Sequence, residues 1–180
     1  MTRRDYIETL ADRLLEKADL PMPAFLAGAA TLKSTVTADP AESVFSLADK
    51  AQTIVLETLG RPKPRDSRVT AALAMLESAV ANGKRLKGKE IAANKGMDAA
   101  HLSRLVHAES GFHLTEWRTG YLLRPSLTAL AETKEHVKQI ACGLLHFNHQ
   151  GQFDKEFERL FGLTPTEFRR LAQTRPFQSS

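Results

Sequence analysis

Residues 102–118, L-S-R-L-V-H-A-E-S-G-F-H-L-T-E-W-R, and residues 153–169, F-D-K-E-F-E-R-L-F-G-L-T-P-T-E-F-R, carry one pattern twice, 51 positions apart. Leu102 falls on Phe153, Arg104 on Lys155, Val106 on Phe157 and Gly111 on Gly162, and Thr115-Glu116-Trp117-Arg118 falls on Thr166-Glu167-Phe168-Arg169. Self-similarity at a fixed offset marks a supersecondary unit used twice. In each copy apolar residues recur at helical spacing, a glycine stops the helix, and a Thr-Glu pair opens the next one.

Upstream of each copy stands an Ile-Ala pair, Ile91-Ala92 and Ile140-Ala141, followed by a turn and a polar-capped helix. The small alanine lets two helices cross closely, so the order reads as a helix-turn-helix whose second helix is presented outward. Gly96 supplies a positive φ in the first turn. His146 or Asn148 takes that role in the second, both types tolerating the left-handed region. Asp98 is the expected cap of the first presented helix, and Asn148 or His149 of the second.

The stretch I-A-A-N-K-G-M-D-A-A-H-L-S-R-L from Ile91, with the later I-A and the ending F-G-L-T-P-T-E-F-R at 161–169, closely resembles the AraC/XylS family of regulators over about residues 66–172. The resemblance implies an all-α, seven-helix domain of two helix-turn-helix lobes joined by a long central helix at about 115–132. It also implies a bacterial, cytoplasmic transcription regulator, an activator or a repressor, that reads double-stranded DNA through adjacent major grooves and works with RNA polymerase. Three features depart from the family. The step from Ile140 to Phe147 is one residue longer and His146 stands for a glycine, which reshapes the second turn. Pro125 lies in the central helix, with Leu122 where the family usually has arginine, and predicts a kink. The segment before the domain is too short for the family's sugar-binding β-barrel.

Outward from this core, Gly60 and the run R-P-K-P-R-D-S predict a linker at 61–67. Before it, residues 1–60 read as a small helical region for dimerisation, sensing or partner binding, a homodimer being one of these three uses. Ile7, Leu10, Ala11, Leu14 and Leu15 mark one amphipathic helix. A second runs from Asp39, with Pro40 at its first position, Glu42 as capping-box carboxylate, and Val44, Leu47, Ala51, Ile54, Val55 and Leu59 as its apolar positions. Residues 20–37 read as loop plus a short helix. After the linker, Val69, Ala72, Leu73, Leu76 and Val80 mark a helix ended by Asn82-Gly83, and the domain proper spans 68–172 with a tail at 173–180. No segment alternates with period 2, so no strand is expected.

Composition agrees. The chain has 180 residues, 42% of them hydrophobic, enough for a packed core. No apolar run reaches the roughly 20 residues needed to span a bilayer, and no membrane role is expected. The net charge of +4 lies wholly in residues 66–180, which hold sixteen Lys/Arg against twelve Asp/Glu, a weak polyanion footprint. Cys142 is the only cysteine, so no disulfide or multi-thiolate site can form within the chain. His101, His107, His146 and His149 make no ligand set with acids or thiols at metal spacing, and no metal or cofactor is expected. With no nucleophile elbow, phosphate loop or paired carboxylates, the chain does not read as an enzyme.

In the first presented helix Leu102, Leu105 and Val106 face the core, leaving Ala99, Ala100, Ser103, Arg104 and His107 for DNA. The family's base-contacting positions fall on Ala100, Ser103 and Arg104, and the planar fork of Arg104 suits guanine O6 and N7. In the second, Phe153, Phe157 and Phe161 form the buried stripe, and Gln150, Gly151, Asp154 and Lys155 face the groove. Asp154 there is repelled by phosphate unless it accepts from a cytosine amino group. Backbone contacts are expected from Lys89, Lys155 and Arg169, the last with a second possibility: tying the final helix to the second lobe.

Overall fold

The computed structural model describes residues 1–16, 21–61 and 64–173. Helices α1 (Arg3–Glu16), α2 (Met22–Thr37) and α3 (Val44–Leu59) precede seven more: α4 (Ser67–Ala81), α5 (Gly88–Asn94), α6 (Ala99–Ser110), α7 (Leu114–Glu132), α8 (Val137–Gln139), α9 (Gln150–Phe161) and α10 (Pro165–Gln173). Among the described residues no strand occurs, and no helix is long and apolar enough to cross a membrane. The fold is all-α, with α4 to α10 supplying the seven helices of the two-lobed domain and α7 joining the lobes. Pro125 sits inside α7 without ending it.

Two expectations about the first 60 residues are corrected. Residues 22–37 form a full helix, not a loop with a short one. Met22, Phe25, Leu26, Ala27, Ala29, Thr31, Leu32 and Thr35 are all buried, because α1, α3, α7 and α9 pack around α2. A helix covered on several sides has no polar face, so its sequence shows no period.

The other correction concerns the start of α3. Asp39 does not cap it; Ser43 does, its hydroxyl accepting from the Ser46 amide at 3.2 Å. Asp39 instead accepts from the Ala41 amide at 2.8 Å, and Glu42 pairs with Lys50 and accepts from the Ser46 hydroxyl. The reason lies in α1. Arg3 donates to the carbonyls of Thr35, Val36, Ala38 and Asp39, so residues 38–42 finish α2 rather than begin α3.

The N-terminal helices and the two-lobed domain share one core. Phe25 meets Phe161 edge-on at 6.2 Å between ring centroids, and α1 lies against α10. At Gly120, α2 approaches α7 so closely that an added Cβ would stand 2.7 Å from the Met22 sulfur and 2.9 Å from a Leu26 methyl. The expected linker is short and docked where it is described. Arg61 lies over Gly111, and the Asp66 amide donates to both carboxylate oxygens of Glu109 at 3.1 and 3.2 Å. Asp66 also caps α4, and the Arg68 side chain beside it pulls its carboxyl down to about 2. The rest of the linker, residues 62–63, and the tail from 174 lie outside the described residues.

Candidate nucleic-acid interface

Both presented helices are built to one plan. α6 and α9 are each 12 residues long, and each ends on a left-handed glycine, Gly111 (φ 81°) and Gly162 (φ 76°). The glycine amide bonds back to the His107 carbonyl in one and the Glu158 carbonyl in the other, at 2.8 Å in both. Only a residue without Cβ takes that conformation freely. The next helix then opens with a carboxylate reaching back to the chain: Glu116 accepts from the His113 amide (2.7 Å) and Glu167 from the Thr164 amide (2.8 Å). These bonds to Thr164 lower the Glu167 pKa. The helices before the turns use the same device, Glu90 accepting from the Lys87 amide and Gln139 from the His136 amide.

The turns differ, and by a countable amount. In the first unit the Lys95 amide bonds to the Ile91 carbonyl and the Met97 amide to that of Ala92. The corresponding donors in the second unit are Leu145, to Ile140, and Phe147, to Ala141, each one residue further on. The extra residue is absorbed by a π-helical turn at Ile140–Leu144. Gly96 (φ 62°) and His146 (φ 54°) then make the same left-handed step, as expected. One more residue separates His146 from the cap of α9, which is His149. The second turn is held from outside: Arg85 lies 4.0 Å over the Phe147 ring and donates to the Leu145 carbonyl at 3.1 Å. Sequence reasoning missed Arg85, which stands 60 residues away with no local signal.

On α6, Leu102 and Val106 are buried and Leu105 leans on the core, while Ala100, Arg104 and His107 are exposed and Ser103 is half-buried. Ala99 is the exception among the expected groove residues, being half-buried against the core. Asp98 caps the helix through the amides of Ala100 (2.9 Å) and His101 (3.2 Å). Arg104 has no hydrogen-bond or ion-pair partner among the described residues, so its fork is unspent. His107 stacks on His113 at 4.2 Å, a contact between the end of α6 and the start of α7 that the sequence reading did not foresee.

On α9, Phe153, Phe157 and Phe161 are completely buried and join Phe168 in an aromatic cluster. Gly151 and Lys155 are exposed and Gln150 is half-buried. Asp154 is half-buried too, with one carboxylate oxygen covered and unpartnered and the other 3.4 Å from the Gln150 amide nitrogen. Burial raises its pKa. It therefore turns partly into the protein rather than standing free on the groove face. Unlike α6, α9 has no side chain capping its first amides. Arg169 takes the second of its two possibilities in an altered form, donating to the carbonyls of Leu130 (3.2 Å) and Glu135 (2.6 Å). It ties α10 to the end of the central helix.

Comparison with known proteins fits this geometry. Residues 91–171 match the family described as a helix-turn-helix domain. No curated protein matches the chain. Among solved structures, it is similar to the C-terminal domain of AraT, a response regulator from Geobacillus stearothermophilus, with a TM-score of 0.52 and 18% identity over 63% of this chain and 93% of that one. At that identity the likeness is one of fold. Residues 91–171 of this chain, which hold both helix-turn-helix units, match that helix-turn-helix family and are similar in fold to the AraT C-terminal domain.

Proposed function

We propose that the chain is a sequence-specific, DNA-binding transcription regulator that sets α6 and α9 into successive major grooves on one face of the duplex. The observation that carries this reading is the pairing of two 12-residue helices, each held by the same glycine stop and each turning a mixed polar face outward. In this reading Ala100, Ser103, Arg104 and His107 meet base edges, with Arg104 the principal reader. Gln150, Gly151 and Lys155 mainly position the protein. The uncapped amides that open α9 suit a phosphate oxygen, whereas those of α6 are occupied by Asp98. Arg169, spent on two carbonyls, is left out of the contact set.

RNA polymerase is the protein partner that an activator of this kind requires, and residues 1–60 carry self-association. The chain acts by binding rather than by catalysis, in the cytoplasm. A second reading, a co-regulator working mainly through protein contacts, is favoured by the acids on α9, Asp154 and Glu158, and by the altered second turn. Selection of duplexes from a random pool, followed by footprinting, separates the two. Protection in two patches about one helical turn apart supports groove reading. No duplex binding at low salt overturns it in favour of the co-regulator.

A further inference from the structure

Of the large apolar side chains that stand exposed among the described residues, three lie on α3: Phe45 is 89% exposed, Leu56 60% and Leu59 66%. The opposite side of α3 is seated on α2 through Leu47, Ala51 and Ile54. The bare side has an order of its own. Exposed Phe45, Gln52 and Leu59 alternate with half-buried Ala48 and Val55 at steps of three, four, three and four, the seam of a two-stranded coiled coil, with exposed Leu56 at its flank.

We infer that this face pairs with the same face of a second copy, the two α3 helices running antiparallel about a twofold axis at Gln52. The proposal rests on the reading that residues 1–60 carry self-association and is independent of DNA binding. The stripe is self-complementary: Phe45 and Leu59 stand equally far from Gln52, so the axis sets Phe45 of each copy against Leu59 of the other. An amide both donates and accepts, so the two Gln52 side chains can bond to each other on the axis. No seam position is itself charged; the axis sets Ala48 of each copy against Leu56 of the other and leaves Asp49 at the flank, level with Val55, while the helix dipoles oppose each other.

The area agrees with a weak, specific dimer. From their exposures, the three large side chains offer on the order of 400 Å² per copy. With Gln52, Val55 and Ala48 the two faces together cover about 1,000 Å², the lower edge of a specific interface. A small apolar seam with one polar position sets its partner through Gln52 and its strength through Phe45, Leu56 and Leu59.

Sedimentation of the full chain from low micromolar to near-millimolar concentration tests this, starting from the 19.9 kDa monomer. The native chain is expected to move toward twice that mass. Phe45→Asp and Leu59→Asp should each weaken the dimer by about tenfold or more. Gln52→Leu, which replaces the polar seam position, should tighten it by about tenfold or more, a gain that only a seam residue gives. Unchanged thermal melts of the monomers show that the fold is intact. A dimer indifferent to all three substitutions overturns the α3 pairing but leaves self-association through residues 1–60 standing; a chain that stays monomeric throughout overturns both.

Discussion

From Ile91 to Leu102 the first helix-turn-helix advances eleven residues; from Ile140 to Phe153 the second advances thirteen. After Leu102 and Phe153 the two run in register to the end of the repeat. The matched part is bounded by glycine stops and carboxylate starts, which tolerate no change in length because each depends on a fixed step along the chain. The unmatched part lies in the turn, where a π-helical residue and one extra loop residue are accommodated without disturbing Ile140 or Phe153 in the core. Insertion is tolerated where the backbone can re-bond to the next carbonyl, and not at a cap.

The cores of the units differ as well. The second stacks Phe153, Phe157, Phe161 and Phe168, and Phe161 continues into Phe25 of the N-terminal region. The first has Ser110 where the second has Phe161, and there the serine hydroxyl accepts from the Trp117 indole at 3.0 Å and donates to the Val106 carbonyl at 2.7 Å. The apolar unit is thus the one anchored to α2, and the other carries the unspent arginine. In the proposed function, one lobe is the base and the other the reader.

The largest expected effect is on stability. Phe157→Ala should cost about 3–5 kcal/mol, whereas Val106→Ala at the matching position should cost about 2 kcal/mol, measured by denaturant unfolding. Equal losses would break the division into base and reader. Next comes binding. Arg104→Ala should lose about 1–3 kcal/mol on the selected site and relax its sequence preference. Lys155→Ala should weaken all duplexes alike and reduce the salt slope by about one. If Lys155 governs sequence preference instead, the roles are reversed.

A smaller effect is expected in the turns. His146→Gly relieves a left-handed non-glycine residue and should stabilise by up to about 1 kcal/mol, while Gly96→Ala should destabilise by about 1 kcal/mol. A loss with His146→Gly would mean that its ring holds the second turn. The smallest effect concerns Asp154. Burial raises its pKa, so its folded form binds a proton more tightly than the unfolded chain does. Stability from this group is present at low pH and lost as pH rises through the raised pKa. Asp154→Asn should remove that dependence, raise neutral-pH stability slightly, and strengthen duplex binding at low salt. Weaker binding would make the carboxylate a base reader.

Much of this was legible in the residues. The repeat, the caps at Asp98 and Glu167, the left-handed steps at Gly96 and His146, and the phenylalanine stripe all rest on interactions within a few positions of the chain. Ala99 and Asp154 were harder, because a helical wheel gives direction but not the depth to which neighbours cover a side chain. Arg85 was out of reach, and the role of Arg169 could be narrowed only to two possibilities, for another reason: their partners stand tens of residues away.

Sequence by itself determined the all-α class and the two helix-turn-helix units, because helix period, glycine stops and carboxylate caps act locally and repeat at a fixed offset. Tertiary structure alone decided that residues 22–37 are a helix, that the first 60 residues share the domain's core, and that the apolar face of α3 is left bare. Burial is a property of what else packs nearby. A helix surrounded on several sides hides its period, and an amphipathic helix does not reveal which apolar residues its own chain will cover.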